Sequence, residues 1–207
     1  MVNIYLVRHG EAEGNLKGVV MGQTDYKLTD TGRNQAREAI AKFKDKKINR
    51  VIASDLSRAY KTATILAEGL GIANVEVAPQ VSERHFGNMQ DKNKQELSEV
   101  FKEQYAELGL LNTEAQLAYK FSVEMESAEE ALTRLYSYLQ HVDAEHQGEN
   151  ILIVTHSGLL GPFLVKQGLK KFDVPVAVGG IGNLAHINLE VDAGRVKVVG
   201  VDGIELK

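Results

Sequence analysis

The sequence contains no cysteine. That excludes a disulfide framework, a thiolate zinc site and a cysteine nucleophile, and it fits a cytoplasmic protein. A basic surplus is also missing, the formal net charge being −4. A broad nucleic-acid footprint calls for a basic domain with clustered Lys and Arg, so nucleic acid is not an expected partner, and any anion site must be local. Long apolar runs are absent too. Met1 to Val7 is apolar, but Arg8 and His9 end it far short of a signal-peptide core or a membrane span. No membrane partner is expected, and the reading is of a soluble cytoplasmic chain.

What is present suffices for one sizeable core. A chain of 207 residues, 43% of them hydrophobic, can bury most of its unfolded surface in a single domain, read here as residues 1–207. Ile4 to Val7, Val51 to Ala53 and Ile151 to Val154 are short β-branched runs, each followed by polar residues, and read as buried strands. Helical patterns follow them. Thr29 is placed to cap a helix running to about Phe43, and Ser57 stands near the start of one running to about Leu70. Ser127 with Glu130 forms a capping-box pattern ahead of Ala131, Leu132, Leu135, Tyr138 and Leu139, and a further helix is expected after Ser157. Strands alternating with helices predict a three-layer α/β/α fold with a mostly parallel central sheet.

The C-terminal part differs. Ala185, Ile187, Leu189 and Val191 alternate with polar residues, and Asp192-Ala193-Gly194 is a turn signal before the β-rich Val196 to Val201, so a closing hairpin is predicted. Residues from about 84 to 126 are helical in composition without a strand and read as a helical lid insertion. Its aromatics, Phe101, Tyr105, Tyr119 and Phe121, with Leu108, read as the insertion's own packing ahead of a pocket lining. Gly179-Gly180-Ile181-Gly182 neither follows a strand nor opens a helix and reads as a flexible turn, not a phosphate loop.

In an open α/β sheet, ligands bind beyond the carboxyl ends of the strands. The residues there are Arg8-His9-Gly10, Ser54-Asp55-Leu56-Ser57-Arg58 and Thr155-His156-Ser157-Gly158. Two histidines and two arginines therefore converge from three distant segments. Guanidinium forks match phosphate oxygens, and an imidazole nitrogen can attack phosphorus once its other nitrogen is held. A serine nucleophile elbow is excluded at Ser157, because Thr155 and Leu159 stand where the motif needs glycine. His85, His141, His146 and His186 show no paired metal-ligand spacing. Neither a metal nor a cofactor is expected.

These residues carry a resemblance. Leu6-Val7-Arg8-His9-Gly10-Glu11 with Asn15 resembles the signature of the histidine phosphatase superfamily, which includes cofactor-dependent phosphoglycerate mutases. Gly22, Asp25, Leu28-Thr29, Gly32 and Gln35-Ala36 resemble its second segment, Ser54 to Ala59 its second arginine motif, and Thr155 to Gly158 its second histidine motif. The resemblance implies His9 as the nucleophile that becomes phosphohistidine, with Arg8, Arg58 and His156 on the phosphoryl oxygens. Glu83 would be the proton donor, and Asn15, Gln23 and Ser157 further contacts.

Glu83-Arg84-His85-Phe86-Gly87, with Gln90, Asn93 and Lys94, resembles the mutase branch in particular, and adds Arg84 and Lys94 as candidate substrate contacts. Two features differ from that branch: no arginine lies between Arg84 and Arg134, and Asp91 replaces the usual glycine. Retaining a bisphosphorylated intermediate needs more cations than hydrolysis does. The favoured expectation is therefore hydrolysis of small phosphate monoesters, with the mutase as the alternative and a non-catalytic phosphate-ligand sensor as a third reading. The expected partner is a small phosphorylated substrate, and a homodimer stays open.

Overall fold

The computed structural model describes residues 1–172 and 181–206. A six-stranded sheet has the order β3-β2-β4-β1-β5-β6, with β1 at Val2–Arg8, β2 at Arg50–Ala53, β3 at Val75–Val77, β4 at Asn150–Thr155, β5 at Ile181–Asp192 and β6 at Arg195–Ile204. The first four strands of that order run parallel, while β5 is antiparallel to β1 and to β6. The predicted mostly parallel sheet and the closing hairpin are both found. Ala193 and Gly194 each take positive φ, the backbone that a two-residue hairpin turn needs to match strand twist.

Helices cover both faces because the central strands β1, β2 and β4 bury side chains on both sides. On one face Val51, Ala53, Leu152 and Val154 pack against Ala39 and Phe43 of α2 (Asp30–Phe43) and Ala59, Ala63 and Leu66 of α3 (Ser57–Leu70). On the other, Ile4, Leu6, Ile151 and Ile153 pack against Leu132, Leu135 and Leu139 of α7 (Ala128–Glu145) and Leu160, Phe163 and Leu164 of α8 (Ser157–Lys166). The caps are as predicted. Thr29 accepts from the N–H of Gly32 at 2.9 Å, and Ser127 and Glu130 exchange hydrogen bonds of 3.0 and 2.8 Å.

Two elements were not expected. α1 (Glu13–Leu16) is a single turn after the His9 loop, and β3 is a short, largely exposed edge strand. Residues 84–126 carry α4 (Lys94–Val100), α5 (Lys102–Leu110) and α6 (Thr113–Ala118). Their aromatics pack on one another: the Tyr105 and Phe121 ring centres lie 4.9 Å apart, and Phe101 and Phe121 5.3 Å. Of the predicted Gly179 to Gly182 turn, residues 179 and 180 lie outside the described residues, and Ile181 opens β5.

Candidate active site

Register brings the chemistry together. Arg8 pairs with Thr155 at the ends of β1 and β4, and the ladder continues as the His9 N–H donates to the Thr155 carbonyl at 3.0 Å. The Ser54 N–H likewise donates to Val154 at 3.0 Å. His9, Ser54 and His156 thus leave the sheet side by side, and the imidazole centres of His9 and His156 are 5.1 Å apart. Gly10 permits a close approach to α2. A Cβ there would stand 2.6 Å from the Gly32 carbonyl oxygen, so no side chain fits.

His9 is buried, and its Nδ1 lies 2.6 Å from the Gly10 carbonyl oxygen. A carbonyl only accepts, so Nδ1 carries the proton and the neutral ring keeps its lone pair on Nε2. Burial, then the charges of Arg58 and Arg8, hold its pKa well below the ordinary histidine value. His156 is driven the same way by burial first, then by Arg58, His9, Arg134 and Arg8. Both rings are neutral at pH 7.

Arg58 is fully buried beneath the loop that precedes α2, donating to the carbonyls of Thr24 at 2.9 Å and Gly22 at 2.6 Å, while its Nε has no partner. Arg8 donates to the Ile181 carbonyl and also leaves Nε unpartnered. Buried guanidinium N–H groups without acceptors are costly, and an incoming anion would satisfy them. The loop clamped by Arg58 is held from its other side by Asp91. That residue takes a positive φ, and its carboxylate accepts from the Tyr26 hydroxyl at 2.8 Å and the Thr24 hydroxyl at 3.1 Å.

Glu83 is buried with both carboxylate oxygens engaged, accepting from the N–H of Arg84 at 2.8 Å and of Gly158 at 3.0 Å. A Cβ at Gly158 would stand 2.4 Å from Glu83 Oε1, so a side chain there would displace the carboxylate. Two groups brace the Glu83 carbonyl: Gln23 Nε2 at 2.9 Å and Arg134 Nη2 at 3.2 Å. Gln23 therefore supports the acid's backbone, and Arg134 is a contributor that no motif flagged.

An open cleft lies over these groups. Arg8, Asn15, Glu83, Arg84, Lys94, Ser157 and Gly158 are among its lining residues, whereas His9, Arg58, His156 and Gln23 are not. Asn15 accepts from the Ala12 N–H at 2.9 Å, which closes α1 and fixes its place. Arg84 is buried with Nε and Nη1 unpartnered, its guanidinium 5.0 Å from the Phe86 ring centre, and burial lowers its pKa to about 10. Burial, reinforced by Arg8, also lowers the pKa of Lys94. Lys170 and Lys171 join the lining from beyond α8, two cations that sequence reading missed. Among the described residues no group of three His, Asp or Glu side chains could hold a metal ion, and no helix is long and apolar enough to cross a membrane.

A buried histidine, the buried Arg58 and half-buried Arg8 with unpartnered Nε–H groups, and the Glu83 carboxylate thus gather beyond the ends of the strands. The chain belongs to the histidine phosphatase superfamily, branch 1, whose family pattern it matches over residues 4–200. It is 35% identical over 162 residues to phosphoglycerate mutase-like protein 4 of Arabidopsis thaliana, covering 76% of this chain and 67% of that protein. It is 35% identical over 160 residues to a putative phosphoserine phosphatase 2 of Hydrogenobacter thermophilus, covering 77% and 75%. Its fold matches a mycobacterial glucosyl-3-phosphoglycerate phosphatase with TM-score 0.79 at 23% identity, covering 98% of this chain and 99% of that one.

Proposed function

We propose that the chain is a metal-independent phosphatase that hydrolyses small phosphate monoesters through a phosphohistidine on His9. The observation that carries this is the Nδ1 contact of His9 with the Gly10 carbonyl, which leaves a lone pair on Nε2 of a ring kept neutral by burial and two guanidiniums. Nε2 attacks phosphorus and the bond to the ester oxygen breaks. Arg8, Arg58 and His156 surround the transferring group, and the two arginines supply positive charge without proton transfer. Glu83 gives its proton to the departing alkoxide. Water then attacks the phosphohistidine, Glu83 takes a proton from it, and the P–N bond breaks to release inorganic phosphate and restore neutral His9.

Arg84 and Lys94 suit a substrate whose leaving group carries a carboxylate or a second anion. Two of the relatives are named for small acids of this kind, phosphoserine and phosphoglycerate. The mutase remains the second reading, because Lys170 and Lys171 give the cleft more cations than the 84–126 segment supplies alone. Residues 84–126 act as the lid over this cleft in either case. A screen of phosphorylated small acids for phosphate release, run with and without bisphosphoglycerate, tests the assignment. Steady phosphate release from one or more esters supports a phosphatase. Interconversion of phosphoglycerates stimulated by bisphosphoglycerate identifies a mutase, and phosphate binding without turnover identifies a sensor.

A further inference from the structure

Behind His156 lies a set of polar groups that the reaction as described does not use. Ser54 Oγ is 2.8 Å from His156 Nε2 and 3.1 Å from Ser82 Oγ, and it accepts from the Leu56 N–H at 3.2 Å. The Ser82 hydroxyl donates in turn to the Asp55 carboxylate. Ser54, Ser82 and His156 are buried, whereas Asp55 is exposed. His156 Nδ1 is buried with no hydrogen-bond partner.

Proton counting gives this set a direction. A carboxylate accepts, so the Ser82 hydroxyl proton is committed to Asp55, and Ser82 Oγ offers only lone pairs to Ser54. The Ser54 proton is then drawn toward Ser82 at 3.1 Å and toward the same Asp55 carboxylate at 3.4 Å, in either case away from His156. That leaves Ser54 one lone pair for Leu56 N–H and one for a donor, and the group facing it is Nε2. Each hydroxyl in such a run polarises the next, and the run ends on a negative charge.

Resting on the phosphoryl-site reading above, we infer that Asp55 and Ser82 are positioning residues acting through Ser54. They hold the proton of the empty site's neutral His156 on Nε2, and they ready Nδ1 to take a second proton from solvent when the phosphoryl anion enters. The step balances. One N–H bond forms at Nδ1, the hydronium or buffer acid loses that proton, and no heavy-atom bond changes.

The charged and titratable groups around His156 are consistent with this order of events. Arg58 from α3, Arg134 from α7, and Arg8 and His9 from the end of β1 all oppose a cation there in the empty site, and burial opposes it most. The acidic groups near it are Glu83, bonded to Gly158, and Asp55, at the end of the hydroxyl run. An entering phosphate dianion reverses that balance, and the polarised acceptor at Nε2 stabilises the resulting imidazolium.

The test uses the full chain and inorganic phosphate. ¹⁵N-histidine NMR of the phosphate-free protein reports which ring nitrogen of His156 holds the proton. Calorimetric titration with phosphate in two buffers of different ionisation heat reports protons taken up. Wild type should show Nε2–H and net uptake of a proton near neutral pH. Asp55→Asn and Ser82→Ala should shift His156 toward Nδ1–H, reduce the uptake and lower kcat/KM about tenfold, as loss of a histidine's outer partner does at metal sites. Ser82→Thr, which keeps a hydroxyl, should retain wild-type behaviour. An unchanged tautomer and unchanged uptake in folded Asp55→Asn and Ser82→Ala would overturn the inference while leaving the active site intact. Absence of phosphate binding by wild type would overturn the phosphoryl-site reading, and the inference with it.

Discussion

The N–H of Gly158 donates to Glu83 Oε2 across 3.0 Å, tying the start of α8 to the acid that opens the 84–126 segment. Together with the Arg84 N–H on the other oxygen, it aims the carboxyl group into the cleft. A general acid matters most when the departing alkoxide is strongly basic. Glu83→Gln should lower turnover of an alkyl phosphate by about 10² to 10⁴ and that of nitrophenyl phosphate much less. Gly158→Ala should show the same split, because its Cβ collides with Oε1. Equal losses on both substrates would assign Glu83 to the fold. Glu11, two residues from His9, is a poorer donor on geometry, since Glu83 lines the cleft and Glu11 does not.

Arg58 both shapes and charges the site. Its guanidinium grips the Gly22 and Thr24 carbonyls and leaves Nε free for the phosphoryl group. Arg58→Ala should cost about 2.7 to 4 kcal/mol of transition-state stabilisation, the range for a preorganised donor. Steady-state kinetics measures this directly. A tenfold loss or less would place Arg58 outside the reacting centre.

Much of this was legible because the sheet is built from short, strongly apolar runs and the catalytic motifs sit immediately after them. β1, β2 and β4 declare themselves through Ile4, Ile52 and Ile151, buried on both sides by helices. β3 does not, since Val75–Val77 is an edge strand with Glu76 at its centre and two of its three positions exposed. At the site, His9, His156, Arg58 and Glu83 could be named from motifs. The braces could not: Arg134 reaches the Glu83 carbonyl from another helix, and Lys170 and Lys171 enter the cleft from beyond α8. Such contacts depend on tertiary placement, which periodicity does not encode.

The pH dependence follows from the buried histidines. His9 must be neutral to attack, and its pKa lies well below the ordinary 6.5. The acid limb of kcat/KM should therefore lie below pH 6.5, with activity falling as His9 protonates. Stability carries the same sign. An unfolded chain takes up protons on His9 and His156 as pH drops through 6.5, whereas the folded chain does not. The fold's margin is thus full above the unfolded pKa and shrinks as pH falls toward the folded values, by about 1.4 kcal/mol per pH unit for each histidine. Denaturant unfolding of the phosphate-free protein at several pH values checks this, and stability that is flat from pH 7 to 5 would contradict it.

Positive charge at the reacting phosphoryl comes from arginines in this account, so chelators should leave turnover unchanged. Activity assays after treatment with a strong chelator decide the point. Loss of activity restored by magnesium or zinc would replace the proposed mechanism with a metal-assisted one.

On the proposed mechanism His9 Nε2 becomes covalently phosphorylated. Rapid quenching of the enzyme with ³²P-labelled substrate, followed by acid and base treatment of the protein, tests it most directly. Label on wild type should survive base and be lost in acid, as a phosphoramidate is, and His9→Ala should carry none. Equal labelling of wild type and His9→Ala, or label that survives acid, would contradict that mechanism.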